Sequence, residues 1–123
     1  MTNRMLADSP DAVRAYMNLT TDGDRTAAIV GFADTAHVTD DGREYHGASA
    51  IRTWLDKASG NYTYTTTPLA ARTDATTDHT VVTCRLEGTF PGGLVDLDYH
   101  FDLDGAQRIS RLEIVVHEPR SGT

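Results

Sequence analysis

The chain has 123 residues, of which 39% are hydrophobic and 24% are charged, a composition typical of one globular domain. Its formal net charge is −7. Because surplus acid repels phosphate backbones and anionic lipids, we expect no nucleic-acid or membrane partner. The sequence predicts no signal peptide and no bilayer-spanning stretch. Cys84 is the single cysteine, which excludes an internal disulfide and suits a cytoplasmic location.

The N-terminal third predicts two helices. Ser9, Pro10 and Asp11 supply a hydroxyl cap, a proline at the first helical position and an acid in the first turn. Apolar residues then recur at helical spacing until a stop at residues 22–24. Asp24 is predicted to cap a second short helix, whose apolar stripe consists of Ala27, Ala28, Val30 or Ile29, and Phe32.

A hairpin and a third helix follow. Residues 36–40 and 44–46 read as two strands around a turn at residues 40–43. The third helix is predicted to open at Gly47 and to end at Gly60. One face of this helix is apolar and carries Ile51, Trp54, Leu55 and Ala58.

After Gly60 the apolar period changes to two, which is typical of strands. Residues 62–67 are rich in β-forming residues, and Pro68 is predicted to interrupt that strand. Residues 80–90 form the next strand. In the last two strands one apolar face carries Val95, Leu97, Tyr99, Phe101, Leu103, Leu112, Ile114 and Val116. The register that pairs Tyr99 with Ile114 also places Asp102 opposite Arg111, so the apolar face and the polar face predict the same register.

Helices followed by long antiparallel strands predict an α+β fold. Three N-terminal helices can cover only one face of the sheet. We therefore expect a strongly curved, mostly antiparallel sheet that bends around the helices and leaves a cone-shaped internal pocket.

The order of these elements, with the final motif Phe-x-Leu-Asp-Gly-x-x-Arg-Ile-x-x-Leu at residues 101–112, resembles the nuclear transport factor 2-like superfamily. Ketosteroid isomerases and SnoaL-like polyketide cyclases belong to that group. The resemblance implies a single SnoaL-like or ketosteroid isomerase-like domain over residues 1–123, with its core at about 9–118. It also implies a cone-shaped, cystatin-like roll and a homodimer, which we expect to form through the outer face of the sheet.

Two segments look like the catalytic elements of bacterial ketosteroid isomerases. Residues 16–24 resemble their first helix, with the catalytic tyrosine at Tyr16. Residues 36–40 resemble their strand that ends in the general base, at Asp40. The second acid of those isomerases corresponds to Tyr99, whereas Asp98 is one residue out of phase. The resemblance thus implies that Asp40, Tyr16 and Tyr99 are catalytic.

The implied function is that of an isomerase or cyclase that uses no cofactor and no metal. It would move a proton next to a carbonyl of an apolar cyclic or polyketide-like small molecule. The predicted pocket wall consists of Trp54, Phe32, Val38, Leu86, Phe101, Leu112, Ile114 and Val116. The alternative is a non-catalytic protein of the same fold that binds a small molecule or serves as an accessory subunit.

Each of these residues also has a purely structural interpretation. Asp40 stands where any hairpin turn carries an aspartate, and Tyr16 suits the packed face of a helix. Tyr99 is a favourable strand residue, and Cys84 suits a small buried apolar position. A ladder of polar side chains at Asp96, Asp98, His100 and Asp102 is better explained as a solvated or subunit-facing surface than as a metal site.

Overall fold

The computed structural model describes residues 9–21, 25–58, 64–74, 76–77 and 79–117. Within these ranges there are two α-helices, α1 (Asp11–Thr21) and α2 (Gly47–Ala58), and one 3₁₀ helix (Arg25–Gly31). The strands are β1 (Phe32–Asp40), β2 (Arg43–His46), β3 (Tyr64–Thr73), β4 (Thr80–Gly88), β5 (Leu94–Leu103) and β6 (Ile109–Val116). The predicted helix stop at residues 22–24, the cap at Asp24 and the terminator Gly60 lie outside the described residues.

All six strands form one mixed sheet in the order β2-β1-β6-β5-β4-β3. The β1 and β6 strands pair in parallel, and the other four pairs are antiparallel. The predicted register of the last two strands is confirmed, since Tyr99 pairs with Ile114 and Asp102 with Arg111. The α+β class and the mostly antiparallel sheet are therefore confirmed as well.

One face of the sheet packs against both helices to form the core. Helix α1 buries Val13 and Met17, and helix α2 buries Ile51 and Leu55, each pair following helical spacing. The strands contribute alternate residues, as a half-covered sheet requires. Their buried side chains include Val38, Val82, Cys84, Phe101 and Leu112.

The prediction of three α-helices is wrong for the described residues. Arg25–Gly31 is a 3₁₀ helix, and Phe32, predicted to end its apolar stripe, begins β1 instead. Val30 is 77% exposed whereas Ala28 is buried. An α-helix of seven residues would make few i→i−4 hydrogen bonds. The β-branched side chains of Ile29 and Val30 also have a low preference for the α-helix. The described part of the sheet also shows no strong curl, so the predicted cone shape is corrected too.

Pro68 does not interrupt the third strand as predicted. Strand β3 runs through it from Tyr64 to Thr73 and pairs with β4 along its length, with one register shift between Pro68 and Ala70. Since β3 is the last strand of the sheet, the missing N–H of Pro68 is tolerated at an edge. No helix in the described ranges is long and apolar enough to cross a membrane.

Candidate active site

A cavity of about 180 Å³ lies between the helices and the sheet. The structure brings four residues of separate elements together in its wall: Tyr16 of α1, Asp40 of β1, Trp54 of α2 and Tyr99 of β5. Its complete lining is Tyr16, Asp40, Trp54, Tyr64, Leu86, Phe90, Val95, Leu97, Tyr99 and Ile114. Five of these residues are aromatic and one is a carboxylate, so the cavity is largely apolar with few polar groups.

Asp40 reaches the cavity because it ends β1 in the inward phase. Ala36 and Val38 precede it at intervals of two and are fully buried. The chain then turns at Asp41 and Gly42, whose φ angles of 55° and 78° lie in the left-handed region. An aspartate–glycine pair suits such a two-residue turn between antiparallel strands. Asp40 itself is half-buried, which places its carboxylate at the rim of the cavity.

The Asp40 carboxylate is held by the Trp54 indole. Trp54 Nε1 donates a hydrogen bond to Asp40 Oδ2 at 2.9 Å, across a sequence separation of 14 residues. A donor to an ionised acceptor makes one of the stronger hydrogen bonds in proteins. The sequence predicted both residues for the pocket but gave no sign of this contact, because it depends on how α2 lies against the hairpin.

Tyr16 and Tyr99 form the inner wall. Tyr16 is 2% exposed, and its ring lies edge-on to the rings of Phe32 and Phe101, with centroids 5.9 and 5.4 Å away. The Tyr99 ring lies 6.2 Å from that of Tyr16 and stacks on Phe101 at 6.5 Å. These distances are those of favourable aromatic pairs. The two tyrosine rings are thus held next to each other in the cavity wall by a packed aromatic cluster.

The remaining predicted wall residues separate into two groups. Leu86 and Ile114 line the cavity. The others do not: Phe32, Val38, Phe101 and Leu112 are buried in the core, and Val116 is 60% exposed. Alternation along a strand tells which residues face inward, but it does not tell which of them meet other side chains and which meet empty space.

Four lining residues were absent from the predicted pocket wall. Val95 and Leu97 share the inward phase of Tyr99, so the strand pattern could have identified them. Tyr64 begins β3, and Phe90 lies in the turn after β4. Their rings pack edge to face with centroids 6.3 Å apart. Their role in the wall depends on how that turn folds over the cavity, which no sequence period records.

A second depression adjoins the cavity and is called here the outer groove. It has a volume of about 350 Å³ and is lined by Asp40, Asp41, Gly42, Leu97, Ile114, Val115 and Val116. It shares Asp40, Leu97 and Ile114 with the cavity. Val116, predicted for the pocket wall, therefore lines the outer groove instead.

The opposite face of the sheet carries the polar ladder. Arg85 pairs with Asp96 at 2.9 Å, and the Asp98 carboxylate accepts hydrogen bonds from Thr83 and His117 at 2.6 and 2.9 Å. Burial alone would raise the pKa of Asp98, but these two hydrogen bonds, together with the charges of His117 and His100, lower the pKa below its ordinary value. In the part of the chain described, no group of three or more His, Cys, Asp or Glu is arranged to hold a metal ion.

Cys84 lies on the covered face and is fully buried. Burial, with a contribution from the negative charge of Asp98, raises the pKa of its thiol to about 12. The thiol therefore stays protonated near neutral pH and packs as a small apolar group.

Comparison with known proteins identifies solved structures that are similar to this chain. No protein-family model and no curated protein matches it. Among solved structures, an NTF2-like protein from Exiguobacterium sp. has a TM-score of 0.73 and 16% identity, over 88% of this chain and 99% of that one. A candidate polyketide cyclase from Sinorhizobium meliloti has a TM-score of 0.81 and 34% identity, over 89% of this chain and 98% of that one. The chain belongs to the nuclear transport factor 2-like superfamily.

The superfamily's ketosteroid isomerase-like fold is found in another structural neighbour. It is a protein from Catenulispora acidiphila that was solved in complex with trimethylamine. Its TM-score is 0.74 and its identity 18%, over 87% of this chain and 85% of that one. The resemblance predicted from the order of elements is thereby confirmed at the level of the family and the fold.

Proposed function

We propose that this member of the superfamily is an acid–base enzyme of the isomerase or cyclase type. Its substrate would be an apolar cyclic or polyketide-like small molecule that carries a carbonyl group. The observation that supports this proposal most is the composition of the cavity, in which one carboxylate, Asp40, faces an otherwise apolar space together with the phenols of Tyr16 and Tyr99.

In the proposed reaction Asp40 accepts a proton from the carbon next to the carbonyl. The electron pair of that C–H bond moves to the carbonyl oxygen and forms an enolate. Tyr16 and Tyr99 donate hydrogen bonds to this oxygen, and a preorganised donor of this kind contributes roughly 3–4 kcal/mol in other enzymes. In an isomerase reaction a C=C bond is conjugated with the enolate, and Asp40 returns the proton to the far carbon of that bond. In a cyclase reaction the enolate carbon attacks a second carbonyl, whose oxygen receives the proton from Asp40.

The contact with Trp54 supports the role of Asp40 as the base. Its Oδ2 accepts the indole N–H, which fixes the plane of the carboxylate. Among the described residues no donor is hydrogen-bonded to Oδ1, so this oxygen can receive a proton. The half-buried position of Asp40 at the cavity rim also gives a substrate access to it.

The candidate polyketide cyclase from Sinorhizobium meliloti supports a cyclase reaction for this chain, because 34% identity extends over nearly all of that protein. The ten lining residues include no second carboxylate, and in our proposal Tyr99 supplies the second hydrogen bond to the substrate oxygen. A phenol can donate such a bond at neutral pH because its ordinary pKa is about 10.

A second candidate function is binding of a small molecule without turnover. The aromatic side chains around Asp40 favour it, since an aromatic cage with one carboxylate also suits a small alkylammonium ion. The structural neighbour solved with trimethylamine has the same fold. This candidate predicts that trimethylammonium raises the melting temperature and that Asp40→Asn weakens its binding.

One set of variants distinguishes the two candidate functions. Apolar ketones and trimethylammonium are first screened by thermal shift. If Asp40 is the base, Asp40→Asn lowers turnover of a bound ketone roughly 10²–10⁴-fold and changes its affinity little. Tyr16→Phe lowers the same turnover on the order of a hundredfold. Asp34→Asn is the matched control, because Asp34 is an exposed aspartate of the same strand. A ketone that binds but is not converted by the wild type would favour the binding candidate.

A further inference from the structure

The cavity alone is small for the substrates that a carbonyl-directed enzyme could take. Its volume of about 180 Å³ is close to the roughly 150 Å³ of an engineered apolar protein cavity that binds benzene. One six-membered ring therefore fills it. A skeleton of several fused rings does not fit inside it, so any larger substrate must extend past the rim.

The outer groove lies where such an extension would pass. Asp40, Leu97 and Ile114 line both the cavity and the groove. In the sheet Asp40 pairs with Ile114, and Leu97 pairs with Val116. The apolar side chains of Ile114, Leu97 and Val116 thus lead from the cavity past Asp40 into the groove.

The groove also presents apolar surface that the described part of the fold leaves uncovered. Val116 is 60% exposed and Val115 38% exposed, and both line the groove. Burial of such side chains under an apolar ligand is favourable in proportion to the area removed from water. A groove that continues a binding cavity and is apolar at its far end suits the remainder of a ligand held in the cavity.

From this continuity we infer that the site takes a two-part substrate. One ring occupies the inner cavity, a second ring or apolar chain occupies the outer groove, and the carbon that loses its proton lies between them at Asp40. This inference rests on the proposed function and names its substrate class. Val116 is then a specificity-determining residue that contacts the outer part of the substrate and not the inner ring.

The test compares two ketones that differ only in the outer part. Cyclohexanone is the one-ring probe, and 2-cyclohexylcyclohexanone, whose C2 lies between the carbonyl and the second ring, is the two-ring probe. Trp54 is the only tryptophan of the chain and lines the cavity, so its fluorescence reports occupancy of the inner cavity. We expect the wild type to bind the two-ring ketone at least tenfold more tightly. Val116→Asn should weaken that binding about fivefold and leave cyclohexanone binding unchanged.

Val30→Asn is the matched control, because Val30 is an exposed valine that lines neither the cavity nor the groove. It should change neither affinity. Equal affinities of the two ketones for the wild type, or an equal loss of both in Val116→Asn, would overturn the inference. A change in molecular mass of Val116→Asn with unchanged affinities would assign the groove to a second copy of the chain and also overturn it.

These measurements require binding only, so they separate the inference from the proposed function. If the two-ring preference is found and no ketone is converted, the substrate-binding inference holds and the catalytic proposal fails. If Asp40→Asn abolishes conversion and Val116→Asn does not distinguish the two ketones, the catalytic proposal holds and the substrate-binding inference fails. Failure of the wild type to bind either ketone would contradict both the substrate-binding inference and the catalytic proposal.

Discussion

The hydrogen bond of 2.9 Å between Trp54 Nε1 and Asp40 Oδ2 joins α2 to the end of β1. A hydrogen bond to a charged group contributes about 1.5–3 kcal/mol to stability, and the half-buried position of Asp40 reduces this value through solvent screening. In urea unfolding, a double-mutant cycle of Trp54→Phe and Asp40→Ala should therefore give a coupling free energy of about 1 kcal/mol.

The control for that cycle replaces Trp54→Phe with Tyr45→Phe. The ring of Tyr45 packs 6.1 Å from that of Trp54 and lies outside the cavity lining. Its cycle with Asp40→Ala should show a coupling near zero. A coupling near zero for Trp54 and Asp40 as well would mean that the indole does not hold the carboxylate in solution.

The sequence predicted which residues meet in the site better than it predicted how they interact. Tyr16, Asp40, Trp54 and Tyr99 follow from their phase on helices and strands together with the family resemblance. The Trp54–Asp40 hydrogen bond could not be predicted, because it depends on the packing of α2 against the hairpin. The contribution of Phe90 depends in the same way on the path of a turn.

At the scale of elements, the paired strands β5 and β6 were predicted with their register. Both faces of this pair of strands indicate the same register, since apolar side chains pair on one face and Asp102 opposes Arg111 on the other. The segment Arg25–Gly31 was not predicted, because a few apolar residues fit an α-helix and a 3₁₀ helix equally well. Strand β3 was predicted too short because its edge position, which tolerates Pro68, is set by the fold as a whole.

The outer face of β4, β5 and β6 should make stability depend on pH. Hydrogen bonds from Thr83 and His117 lower the pKa of Asp98 below its ordinary value of about 3.9. A carboxyl with a lowered folded-state pKa stabilises the fold above its unfolded-state pKa, and this stabilisation is lost as the pH falls through the folded-state pKa. Chemical denaturation of the wild type should thus show falling stability from about pH 5 to pH 3.

Asp98→Asn should be less stable than the wild type near neutral pH and should lose less stability over the same interval of pH. Asp34→Asn, in which an exposed aspartate of β1 is replaced, is the control and should keep the wild-type slope. An unchanged slope in Asp98→Asn would show that the hydrogen bonds to this carboxylate do not stabilise the fold.

At the scale of the whole molecule, we predict a homodimer that forms through the outer face of the sheet. Arg85 and His117 of that face pair with Asp96 and Asp98 of the same chain, whereas Arg111 is exposed on it. Light scattering at micromolar concentration should give about twice the chain mass of 13.4 kDa, and Arg111→Glu should shift the mass towards that of the monomer. A monomer mass for the wild type would contradict this prediction.

We propose that Asp40 removes a proton from carbon, and hydrogen exchange on a bound ketone tests this role without knowledge of the natural substrate. In D₂O, NMR follows the replacement of hydrogen by deuterium at C2 of 2-cyclohexylcyclohexanone, the carbon between the carbonyl and the second ring. We predict that the wild type and Asp34→Asn accelerate this exchange, and that with Asp40→Asn, at a ketone concentration that saturates the variant, the exchange rate does not exceed that in buffer. Exchange in Asp40→Asn as fast as in the wild type would contradict it.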